Sequence, residues 1–262
     1  MKRYPAVFLA HGSPMSALGG DDHARALKAY GERVTGMQAI LAISAHWQTS
    51  GPLRVTSWTH APLVYDFGGF SDELYRIEYP APGDPALAGR IAALLRAGGH
   101  EVTAEMTRGL DHGAWVPLRL AWPGAATPVI ELSLPELPPR DLWRLGELLR
   151  PLRDEGVVIV GSGGIVHNLR RVRFAERYGP ADDWAVEFDS WVAARVEERD
   201  AERLVNYRSA PHAAAAVPTT EHFDPLFVAL GASSAGDRVE TIFGGFQHGS
   251  LSMRSLAFGY DV

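Results

Sequence analysis

The chain has 262 residues, no cysteine, a formal net charge of −6 and 46% hydrophobic content. That content supplies a substantial core, and the missing cysteines exclude a disulfide framework, a thiolate nucleophile and a Cys-type zinc site. Acids and bases are interspersed with no Lys/Arg-rich run, so no nucleic-acid partner is expected, and the apolar runs fall far short of the roughly 20 residues of a membrane span. The opening MKRYPAVFLAHGSP has too brief an apolar stretch for a secretory signal, which makes a cytoplasmic location the expectation.

The first expected strand, Ala6–Ala10, runs into His11 and the tight turn Gly12-Ser13-Pro14. Asp21 or Asp22 then caps a helix whose first turn carries His23, expected at the surface. A second strand, Ala39–Ser44, ends at His46 beside Trp47. A helical pattern over Pro85–Ala97 follows, then GLDHGAWVPL, where Asp111 and Gly113 frame His112. The third strand is Thr127–Leu134, and a helix over Asp141–Leu152 sets Leu142, Leu145, Leu148, Leu149 and Leu152 on one side. The fourth strand, Val157–Gly161, leads through the turn GSGG to His167, and Trp184–Val196 repeats apolar residues at helical spacing. His222 stands two residues before Asp224-Pro225, a fitting N-cap and N1 pair for a helix covering Phe227 to Leu230, and Val239–Phe243 is the last strand. Strands alternating with helices imply one α/β domain over 1–262, a mostly parallel or mixed central sheet flanked by helices on both faces.

In open α/β sheets, ligands sit outside the carboxyl ends of the strands. His11, His46 and His167 follow three such strands, so residues far apart in sequence can meet in one crevice. Of the ten histidines, His23, His60 and His100 read as surface or structural residues, and His212 and His248 remain open between a solvated loop role and a functional one. His11, His46, His112, His167 and His222 each have a local frame that fixes their direction. Any one of them alone is more often a hydrogen-bonded structural residue; together they point to a metal. Neutral imidazole binds Fe, Zn, Cu or Ni, and two histidines with a third His or a carboxylate leave positions open. A histidine off the metal suits proton transfer near neutral pH. The GSGG turn lacks both G-x-G-x-x-G spacing and a P-loop Lys, and Ser162 lacks a G-x-S-x-G elbow, so the glycines more simply let backbone approach a buried site.

AHGSPMSAL (10–18), SAHW (44–47), YDFGGF (65–70), LYRIEYPAPG (74–83), GLDHGAWVPL (109–118), GSGGIVHNLR (161–170), EHFDPLF (221–227) and LSMRS (251–255) resemble, in order, the motifs of the DOPA-dioxygenase group of class III (LigB-type) extradiol ring-cleavage dioxygenases. The resemblance implies an α/β fold with one non-haem Fe(II), or in some members Zn(II), that opens a small-molecule catechol next to its paired hydroxyls using O2. It implies His11 and His46 as metal ligands, His222 as the third with Glu221 as the alternative, and His167 as a further ligand or an acid/base. His112 resembles the histidine that contacts substrate and dioxygen. Ser13, Trp47, Tyr65, Phe67 and Trp115 are the candidates for the substrate pocket. The family often has an aromatic residue where Gly69 stands, proline at Ser71 and threonine at Val166, departures that bear on substrate more than on metal. A zinc hydrolase, whose metal-bound water has a pKa near 7, and a non-catalytic binding protein on the same scaffold are the rival readings.

Overall fold

The computed structural model describes residues 3–60 and 62–259. Its central sheet has six strands in the order 129–131, 39–44, 157–163, 6–10, 255–258, 239–243. The first four run parallel, 255–258 is antiparallel to both its neighbours, and 239–243 again follows the direction of the first four, so the sheet is mixed. Every residue of Ala6–Ala10, Ala39–Ser44 and Val157–Gly163 is buried, as expected of strands covered on both faces. Their alternation divides the core in two. Ala6 and Phe8 pack with the helices Pro139–Leu149, Asp183–Glu197 and Asp224–Ala232, whereas Val7 and Leu9 pack with Asp22–Arg33 and His112–Ala121 on the other face.

Several boundaries differ from the sequence expectation for local reasons. The 127–134 run is interrupted: Val129–Glu131 joins the main sheet, while Leu134–Pro135 pairs with Gln48–Thr49. The helix expected over 141–152 begins at Pro139 and stops at Leu149, passing into a 3-10 turn over Arg150–Arg153, because Pro151 has no N–H to continue the ladder. The strand Ser255–Phe258 is too short for its pattern to stand out, yet it occupies the position between 6–10 and 239–243. Leu53–Thr56 and Val102–Glu105 form a separate parallel pair. Asp224 does not cap its helix; Phe223 holds that position, and the Asp224 carboxyl accepts from Thr220 Oγ1 at 2.7 Å. Among the described residues no helix is long and apolar enough to cross a membrane.

Candidate active site

Three parallel strands end at one rim, and each delivers part of the site. His11 follows Ala10 at the end of the first strand, and His46 follows the strand ending at Ser44. His222 arrives from the turn before Asp224–Ala232, and the glycines of the 157–163 strand let it in. A Cβ at Gly163 would lie 2.0 Å from the His222 carbonyl oxygen, and one at Gly161 would lie 2.3 Å from the Pro225 oxygen. Side chains there would push the helix start off the strand.

The ligand atoms of His11, His46 and His222 lie within 4.8 Å of one another. The Nε2 atoms of His11 and His46 are 3.2 Å apart. Each ring has an oxygen on its Nδ1 side. Ser162 Oγ donates to the Gly113 carbonyl and so accepts from His11 Nδ1 at 3.1 Å. Glu221 Oε1 is 3.1 Å from His222 Nδ1, and Asp66 Oδ2 is 3.7 Å from His46 Nδ1. At His11 and His222 this arrangement puts the proton on Nδ1 and turns Nε2 inward, the pattern by which outer oxygens orient metal-binding imidazoles, whereas the 3.7 Å gap at His46 is too long for a hydrogen bond. His222 Nε2 is buried with no hydrogen-bond partner. Burial first, then mutual repulsion among the rings, holds His11 well below the usual histidine range and His46 at about 4. These rings are neutral near pH 7, the form that binds metal. Two nitrogens bound to one ion at ~2.1 Å stand roughly 3–3.5 Å apart, so the 3.2 Å spacing and the orphaned Nε2 fit a divalent cation.

His167 and His112 adjoin different members of this trio. The His167 ring stacks on His222 with centroids 3.5 Å apart and an interplanar angle of 6°, and burial lowers its pKa to about 3. Its ligand atom groups with Glu221 and His222 and lies outside the His11, His46, His222 set. The His112 ring centroid is 4.1 Å from that of His46, and its Nδ1 is 2.8 Å from Asp66 Oδ1. His112 opens the helix 112–121, capped by Asp111, whose Oδ1 accepts from Ala114 N and from Ser44 Oγ. Arg108 ties Asp111 Oδ2 to the His46 carbonyl, which fixes the turn carrying His46.

The pocket candidates separate into two groups. Phe67 stands edge-on to His112 at 5.6 Å, and Tyr65 meets Phe67 at 6.1 Å, giving a half-buried aromatic wall beside the imidazoles. Trp115 has no exposed surface and donates Nε1–H to the Val64 carbonyl, so it backs that wall from within the core. Trp47 is buried under the Arg108 guanidinium, and Ser13 Oγ accepts from Met15 N in its turn. His23, expected at the surface, is 1% exposed and packs on Phe243, because the side of its helix that carries it faces the sheet. His60 and His212 are exposed, His212 pairing with Glu187, whereas His248 is buried. Asp66 is the site residue the sequence reading missed. Its signal in the sequence is an acid set between two aromatics ahead of Gly68-Gly69, within YDFGGF.

Histidines converging at a sheet rim beside an aromatic wall could hold a metal ion next to an apolar surface, and comparison with known proteins names the class. The family described as the catalytic LigB subunit of aromatic ring-opening dioxygenase matches residues 5–258. The chain belongs to that family and is an extradiol ring-opening dioxygenase. It is 39% identical to the 4,5-DOPA dioxygenase extradiol of Escherichia coli (strain K12), over 98% of this chain and 95% of that one. It is also 39% identical to the protein of the same name from Beta vulgaris, over 96% and 95% of the two chains. The crystal structure of an uncharacterized protein from Escherichia coli K12 superposes with a TM-score of 0.84 at 35% identity, covering 98% of this chain and 100% of that one.

Proposed function

We propose that this dioxygenase, working as one domain across 1–262, opens a catechol such as DOPA with O2 using one Fe(II) held by His11, His46 and His222. The convergence of these three imidazoles through inward-facing Nε2 atoms carries the reading, and the relatives named as 4,5-DOPA dioxygenases support the substrate. Iron, when bound, supplies redox chemistry between the ring and dioxygen that zinc does not.

The chain's own residues do the rest. Phe67 and Tyr65 give the ring an apolar wall and keep water from that side. His112, with Nδ1 occupied by Asp66, has Nε2 free to take a catechol hydroxyl proton. His167 lies outside the three-histidine set and stacks on one of its members, a position suited to a second acid/base beside the metal. Glu221 acts through His222 by holding its Nδ1, in place of binding the metal itself.

The test is oxygen uptake with DOPA, and with simple substituted catechols, after anaerobic loading with Fe(II) or Zn(II). Oxygen consumption with iron alone, accompanied by a yellow ring-opened product, is the expected result. Equal uptake with zinc, or cleavage of an ester or amide with zinc and no oxygen consumed, would overturn it.

A further inference from the structure

The carboxylate of Asp66 accepts twice through one oxygen. Oδ1 is 2.9 Å from the backbone N of His112 and 2.8 Å from its ring Nδ1. A backbone N–H is an obligatory donor, so this oxygen faces His112 as an acceptor, and the ring nitrogen beside it must carry the hydrogen. The second oxygen lies 3.7 Å from His46 Nδ1, which places Asp66 between two rings of the cluster. The same loop also supplies the aromatic wall, since Phe67, the next residue, stands edge-on to His112. Adjacent residues of one chain segment therefore hold the imidazole from two directions, one by hydrogen bonds and one by ring contact.

We propose that Asp66 is the positioning residue for His112, locking the imidazole as the Nδ1–H tautomer so that Nε2 is the unprotonated atom turned toward substrate. This rests on the reading of His112 as the proton acceptor. In the step it serves, the hydroxyl O–H bond breaks, its proton bonds to His112 Nε2, and the electron pair stays on the catechol oxygen. The nearby anionic carboxylate then stabilises the imidazolium that forms, while Asp66 itself takes no proton. The arrangement also links substrate contact to base orientation: a shift of the 65–70 loop that displaced Phe67 would release Asp66 from His112 at the same time.

Two measurements test it. In metal-free protein labelled with 15N-histidine, the His112 resonances, identified by their loss in His112→Ala, should show a protonated Nδ1 and a bare Nε2. In Asp66→Asn this preference should weaken, because an amide can present either its oxygen or its NH2 to the ring. In the iron-loaded enzyme Asp66→Asn should lower kcat by about 100-fold with KM and metal content little changed. Asp66→Glu, which keeps the carboxylate, should recover part of that loss and serves as the second variant if the asparagine form folds poorly. An Nε2–H tautomer in the wild-type protein, or an unaltered kcat in Asp66→Asn, would overturn the proposal. Wild-type turnover in His112→Ala would instead overturn the reading of His112, and the tautomer measurement would then decide the Asp66 assignment alone.

Discussion

The two ends of the same strands treat buried polar groups in opposite ways. At the amino end of the 6–10 strand, Arg153 has no exposed surface, and each of its nitrogens donates: Nε to Tyr4 O, Nη1 to Ala232 O and Asp237 Oδ2, and Nη2 to Phe258 O. At the carboxyl end, His11 and His46 turn Nε2 atoms toward each other at 3.2 Å, and His222 Nε2 has no partner at all. The helix Asp224–Ala232 connects these places, starting beside His222 and ending at the carbonyl that Arg153 binds. A buried charge that is fully paired is a clamp on the fold, whereas buried acceptors aimed at one point and left unpaired are a place for a cation. One end closes the sheet and the other keeps coordination capacity in reserve.

Substitutions at the two ends should therefore fail in different ways. The largest effect is expected at the open end. His11→Ala and His46→Ala should lose bound metal, measured as iron per chain, and lower turnover on the order of 10³-fold, the several kcal/mol that a metal ion contributes. His112→Ala should retain the iron and still lose turnover, so full metal occupancy in His46→Ala would break the distinction between ligand and acid/base. At the closed end, Asp237→Ala leaves Arg153 buried without its counter-charge, and denaturant unfolding should show a loss of about 3 kcal/mol, while the folded fraction binds metal as before. Metal loss in that variant would mean that the two ends are not separable.

A smaller effect distinguishes the ends by pH. The depressed histidines belong to the carboxyl end: His46 at about 4, His167 at about 3 and His23 at about 4, each lowered first by burial. Between these values and the ordinary 6.5, the unfolded chain binds protons that the folded chain refuses. Stability is thus complete above about pH 6.5 and declines as pH falls toward 4. For His23, which is 1% exposed and stands apart from the metal ligands, the expected loss is about 3 kcal/mol. Unfolding of metal-free protein across that range should show the decline, and His23→Leu should reduce its slope. The guanidinium end does not titrate there, so Asp237→Ala should leave the slope as it is.

Much of this molecule could be read in advance. Hydrophobic runs such as AVFLA and AILAIS are wholly buried strands, and their positions before His11 and His46 locate the rim. The glycines at 161 and 163 were legible as points of close backbone approach, and the structure shows that His222 and Pro225 are what approaches. Ser255–Phe258 escaped notice because four residues carry too little periodicity, and its place in the sheet depends on partners contributed by both ends of the chain. From sequence Trp115 is a pocket candidate, because an aromatic beside a catalytic motif reads the same whether it faces substrate or core; only the packing around it places it behind Tyr65 and Phe67.

Local sequence determined which residues could do chemistry here and on which elements they lie, because residue type, strand length and turn composition act over neighbours in the chain. Tertiary structure alone decided which nitrogen of each ring faces inward. That choice depends on oxygens from Ser162 at His11, Glu221 at His222 and Asp66 at His112, and of these only Glu221 is a chain neighbour of the ring it holds. An imidazole has two chemically similar nitrogens, and which one is free is set by the group that the fold places against the other.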